Sequence, residues 1–175
     1  EKTDDILTNL NLFYEYSEEF YEGKIAEINM EEKLEEGIND FLEENINSAR
    51  ENFKEAIDYN SKVKEYITTA SEKIPFDYLE EARSNREDAE KIIKKLQEVC
   101  DLVEKGSYNE ANDLFQQAEK EYNELKRLYP SDLIPEHREW WSNNIDSPKN
   151  ELREFSRAIE NIEKKMQTLI KEHKE

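Results

Sequence analysis

The sequence predicts an all-α protein, an up-and-down antiparallel bundle of about five long helices with coiled-coil packing. Two observations carry that prediction. Only 3 Gly and 4 Pro occur in 175 residues. Turns depend on those residue types, so turns are few and the elements between them are long. Apolar residues also recur in steps of three and four along most of the chain, the period of one helix face rather than of a strand.

The elements follow in order. A first helix is expected over residues 4–28, capped by Thr3, with Asp4 and Asp5 suited to the positive end of its dipole. Its apolar stripe is broad: Ile6 with Leu7, Leu10, Phe13 with Tyr14, Phe20 with Tyr21, and Ile28. Asn29 and Glu32 read as a capping box that starts a second helix, expected over residues 30–73 and spanning roughly 65 Å. From Ala49 its seam is Phe53, Ala56, Asn60, Val63, Ile67, Ala70 and Ile74, in alternating steps of four and three, which is a heptad. Pro75 ends it.

Asp77 and Glu80 read as a second capping box, opening a helix over 77–105 with the seam Ala82, Asn85, Ala89, Ile92, Leu96, Val99 and Val103. Folding the two helices back at Pro75 sets Leu96 opposite Ala56, Val103 opposite Ala49 and Ala89 opposite Val63. Large residues then meet small ones and the layers interdigitate. Gly106 suits the left-handed position beyond a helix end, and Ser107 with Glu110 opens a helix over 108–129. The stretch 106–111 with Phe115 and Ala118 resembles the second half of a tetratricopeptide unit. No second copy is found, and a solenoid needs repeats, so it reads as helix-hairpin chemistry. Residues 130–147 are expected to be irregular, with a short helix near 136–141. Ser147, followed by Pro148, is expected to cap a last helix over 148–173, with the seam Leu152, Phe155, Ile159, Ile162, Met166 and Leu169. The whole chain, 1–175, reads as one domain.

Composition narrows the function. Asp and Glu number 44 against 25 Lys and Arg, a net charge of −19. That field repels phosphate backbones, so no nucleic-acid partner is expected. No apolar run is long enough to span a bilayer. The single cysteine, Cys100, permits no internal disulfide and reads as a structural thiol beside Val99. The two histidines, His137 and His173, follow Ile134 and Ile170 at the spacing where a di-metal bundle carries Glu. No metal is therefore expected. No cofactor is expected either, because the phosphate-binding and nucleophile-elbow motifs are missing. Glu31, Glu32, Glu35 and Glu36 read as a solvated first turn of the second helix.

The candidate partner-binding residues are aromatic. Trp140 and Trp141 stand together in the expected irregular stretch, either as interface anchors or as a plug over one end of the bundle. Tyr14 and Tyr21 pose the same choice on the first helix. The leading reading is a non-enzymatic structural or protein-interaction bundle. Its partner is itself, as a homodimer, or another helical protein, and the length of the second helix suggests bare seam that a second copy would cover. The alternative is an extracytoplasmic sensor or ligand-binding domain whose anchor or signal preceded Glu1. The chain is expected to be soluble, and the sequence leaves its compartment open: cytoplasmic or, if a leader was trimmed before Glu1, extracytoplasmic. An enzyme would need groups converging in space without a local motif, near His137, Arg138 and Trp140.

Overall fold

The computed structural model describes residues 2–125 and 135–172, and these are helical apart from short turns. The protein is an all-α bundle in which helices pack on one another. The elements are α1 (Lys2–Leu42), α2 (Ile46–Lys73), α3 (Asp77–Glu104), α4 (Tyr108–Asn123), α5 (Pro135–Trp141), a π-helical segment (Ser142–Asp146) and α6 (Ser147–Glu172). Contacts divide the chain into two compact units, Tyr14–Pro130 and Glu1–Phe13 with Ser131–Glu175.

The larger unit holds α1 from Tyr14 onward with α2, α3 and α4. All eight seam positions from Ala49 to Ile74 are buried. Phe53, Leu96, Val99 and Phe115 lie in one continuous core with Met30 and Leu34 of α1. Each large side chain removed from water there contributes roughly 1.5–3 kcal/mol. Helices α2 and α3 run antiparallel at nearly the register expected, joined across their flanks by Lys64–Glu90 at 2.5 Å and Arg50–Asp101 at 2.8 Å. The α3–α4 hairpin turns at Gly106, whose φ is +78°. The amide of Gly106 donates to the Val103 carbonyl and that of Ser107 to the Leu102 carbonyl, closing the last turn of α3.

Several boundaries differ from expectation. No break occurs at Asn29, because α1 runs on to Leu42. The row of α1 that faces the core of this unit is Tyr16, Phe20, Gly23, Glu27, Met30, Leu34, Gly37 and Phe41, an unbroken alternation of four and three. Two glycines and a glutamate interrupt its apolar character, and that hides it. The chain turns instead at residues 43–45. There Glu44 adopts the left-handed conformation with φ 65°. Its amide donates to the Phe41 carbonyl and that of Asn45 to the Asp40 carbonyl, the same closure as at Gly106 without the glycine. The bare seam expected on a long second helix is absent, because α2 is shorter and covered. Phe76, not Asp77, caps α3, and Ser107 caps α4 without a side-chain hydrogen bond. On α3 the buried polar residue is Arg86, while the expected seam residue Asn85 is only half-buried. Helix α4 ends at Asn123. Tyr129, Pro130 and His173 lie outside the described residues, as does the side chain of Leu169.

The smaller unit corrects the expected irregular stretch and the cap at Ser147. From Pro135 the chain is helical through to α6, and Ser147 has ordinary helical angles (φ −63°, ψ −51°). Pro148 is therefore inside a helical run, where it lacks an N–H and its ring crowds the carbonyl four residues back. The π-helical segment sits directly upstream, with Ser147 N–H donating to the Ser142 carbonyl five residues earlier. The Asn144 carbonyl, the one that a regular residue at 148 would satisfy, accepts from Asn9 Nδ2 of α1 at 3.3 Å. Asn144 Nδ2 in turn donates to the Trp140 carbonyl at 2.8 Å.

Candidate functional site

Three features carry unusual chemistry. The first is a buried polar layer in the larger unit. Arg86 Nη1 lies 3.0 Å from Glu27 Oε1, each side chain 1% exposed. Asn60 Nδ2 donates to the Arg86 carbonyl at 2.9 Å, and Lys24 Nζ reaches Glu27 Oε2 at 2.7 Å. Burial pushes the Arg86 guanidinium down from its ordinary value while the Glu27 carboxylate opposes the shift. Such a pair contributes little net stability, but loss of one partner strands a charge in a dry core. The arrangement sets the register of α1, α2 and α3.

The second feature is aromatic. In the larger unit the hydroxyls of Tyr16 and Tyr78 are hydrogen-bonded to each other. Phe76 packs edge-on against Tyr16 at 5.1 Å. In the smaller unit Phe13 of α1 stacks on Trp140 at 5.4 Å and meets Trp141 and His137 edge-on, at 5.2 and 5.8 Å. Both tryptophans are half-buried on a helix rather than displayed on a loop. Burial pushes the His137 imidazole down to about 4, so it is neutral at neutral pH.

The third feature is exposed apolar surface. On α6, Phe155 is 65% exposed, Ile162 57% and Met166 56%, and Ile159 is exposed beside them. With half-buried Leu152 they occupy successive a and d positions of one heptad. Its apolar residues lie more strongly to one side than those of α1, α2, α3 or α4. Tyr14 and Tyr21, 68% and 65% exposed, stand on α1 away from its buried row. The structure therefore separates the four sequence candidates. Trp140 and Trp141 pack on Phe13, and Tyr14 and Tyr21 face outward. Sequence reasoning did find the α6 residues, but as core. Their alternation is the same whether a neighbour covers it or not.

Other candidates offer little. Among the described residues no group of three or more His, Cys, Asp and Glu is placed to hold a metal ion. Glu31, Glu32, Glu35 and Glu36 lie in mid-α1 rather than in a first turn, and Glu36 pairs with Lys33 at 2.8 Å. Cys100 is buried, which pushes its thiol up to about 11. A groove of about 420 Å³ between α3 and α4 is lined by the Lys95–Glu121 ion pair and by Asn85, Ile92 and Leu125, and it is open to solvent. No described helix is long and apolar enough to cross a membrane. Comparison with protein-family models, with curated proteins and with solved structures finds no match to this chain.

Proposed function

We propose that this chain is a non-enzymatic structural or protein-interaction module that self-associates through a coiled-coil face, and that α6 carries that face. The observation behind the reading is the exposed row Phe155, Ile159, Ile162 and Met166, continued by half-buried Leu152. Apolar side chains held in water at heptad spacing cost free energy, which a facing helix recovers by knobs-into-holes packing. Charge favours the same helix. Residues 147–172 hold six basic and five acidic side chains. The strong negative excess thus lies elsewhere, and two copies of α6 approach without the repulsion that other surfaces impose.

Light scattering across a range of protein concentrations tests the reading. The wild-type chain is expected to approach twice its monomer mass as concentration rises. Ile159→Glu, which changes an exposed side chain and leaves both cores untouched, is expected to stay monomeric. A wild-type chain that remains monomeric at millimolar concentration sinks the proposal.

A further inference from the structure

The orientation of the association is written in the residues flanking the α6 row. This inference rests on the reading that α6 self-associates, and it adds which way the two copies run and at what register. In a two-helix contact the positions beside the a and d residues choose between parallel and antiparallel arrangements through charge. With Leu152, Ile159 and Met166 at a and Phe155 and Ile162 at d, the flanking positions are Lys149, Ser156 and Glu163 on one side. On the other they are Glu151, Ala158 and Lys165. All six are exposed.

We infer that α6 pairs with α6 of a second copy antiparallel, with Phe155 of each helix opposite Ile159 of the other. That register also sets Leu152 against Ile162 and Pro148 against Met166. On one flank Lys149 then meets the other copy's Glu163, and on the other flank Glu151 meets its Lys165. Two-fold symmetry repeats both pairs, so four oppositely charged contacts form and no like-charged one does. The small residues Ser156 and Ala158 meet their own copies at the axis, where the helices come closest. A slide of one heptad in either direction removes all four contacts. So does a parallel pair, in which Glu151 faces Ser156 and Ala158 faces Glu163. One arrangement alone satisfies both the apolar row and the charges.

Disulfide trapping in the 175-residue chain decides it. The Glu151→Cys and Lys165→Cys proteins are oxidised separately and as a mixture. Cys100 stays in place, because its buried thiol does not compete. The mixture is expected to give a covalent dimer that neither protein gives alone, since residues 151 and 165 of one helix lie about 21 Å apart along its axis. As a second readout, Glu151→Lys is expected to weaken the dimer about tenfold, because symmetry turns two attractive pairs into two repulsive ones, and Glu151→Lys with Lys165→Glu is expected to restore it. A dimer that Ile159→Glu abolishes, but that forms no mixed disulfide and ignores the charge exchange, overturns the antiparallel register and leaves the proposed self-association standing. A chain that never dimerises overturns both.

Discussion

At the scale of single residues, Gly37 shows how one position governs a packing distance. A Cβ built there would lie 2.6 Å from Phe53 Cε1 and 2.7 Å from its Cδ1, closer than real contacts allow. Phe53 is 1% exposed and has nowhere to go. Helix propensity alone favours Ala over Gly by about 1 kcal/mol. The overpacking strain of about 1–3 kcal/mol acts against it. Gly37→Ala is therefore expected to lower stability by up to about 2 kcal/mol, read as a shift in the urea midpoint at unchanged slope. A rise in that midpoint means α1 and α2 approach less closely here. Glycine in a helix reads as weakness in a sequence, whereas its missing side chain is what admits the Phe53 ring.

At the scale of elements, two junctions depart from local rules for reasons a neighbour supplies. Glu44 takes the left-handed conformation that Gly106 takes at the equivalent turn. The Asp40 carboxylate just before it accepts from Ser48 Oγ at 2.5 Å and Asn52 Nδ2 at 2.9 Å, tying the end of α1 to the start of α2. Pro148 invites a helix start at Ser147. The chain instead carries the helix through by widening one turn and handing the Asn144 carbonyl to Asn9. Pro148→Ala restores an N–H for that carbonyl and removes the ring. It is expected to stabilise the smaller unit by about 1–2 kcal/mol, less than the full cost of a helix-interior proline because the π turn already relieves part of it. Unfolding followed by the fluorescence of Trp140 and Trp141, both in that unit, measures it. A destabilised variant means that the Asn9 contact, and not the proline, sets the π turn.

At the scale of the whole molecule, acid acts on the two units through different groups. His137 is held at about 4 by burial, below its ordinary 6.5. Above pH 6.5 neither folded nor unfolded chain binds the proton. Between 6.5 and 4 the unfolded chain takes it up and the fold does not, so stability falls with pH across that window and levels off below it. Glu90 in the larger unit is held at about 2, first by Lys64 and then by Lys94. Its contribution is complete above pH 4.5 and is lost as pH falls from 4.5 toward 2. Chemical unfolding at a series of pH values is expected to show tryptophan-detected stability declining from pH 6.5. His137→Gln is expected to flatten that decline, while Glu90→Gln leaves it in place and flattens the helix-detected loss below pH 4.5. An unchanged slope in His137→Gln means the imidazole is solvated in the fold.

Much of this architecture was legible from residue spacing. The helical class, the Pro75 and Gly106 turns and every buried seam position of α2 follow from apolar periodicity and turn chemistry, which act over a few neighbouring residues. The inward row of α1 was not legible. Gly37 and Glu27 serve as core there only because Phe53 and Arg86 arrive from other helices to fill or neutralise the space. The proposed interaction face was half legible. The heptads of α2 and α6 look alike as strings, yet one row is buried and the other stands in water. Periodicity is a property of one helix and can be read along it. Burial belongs to whatever lies opposite, and only the assembled tertiary structure decides which stripe is left uncovered.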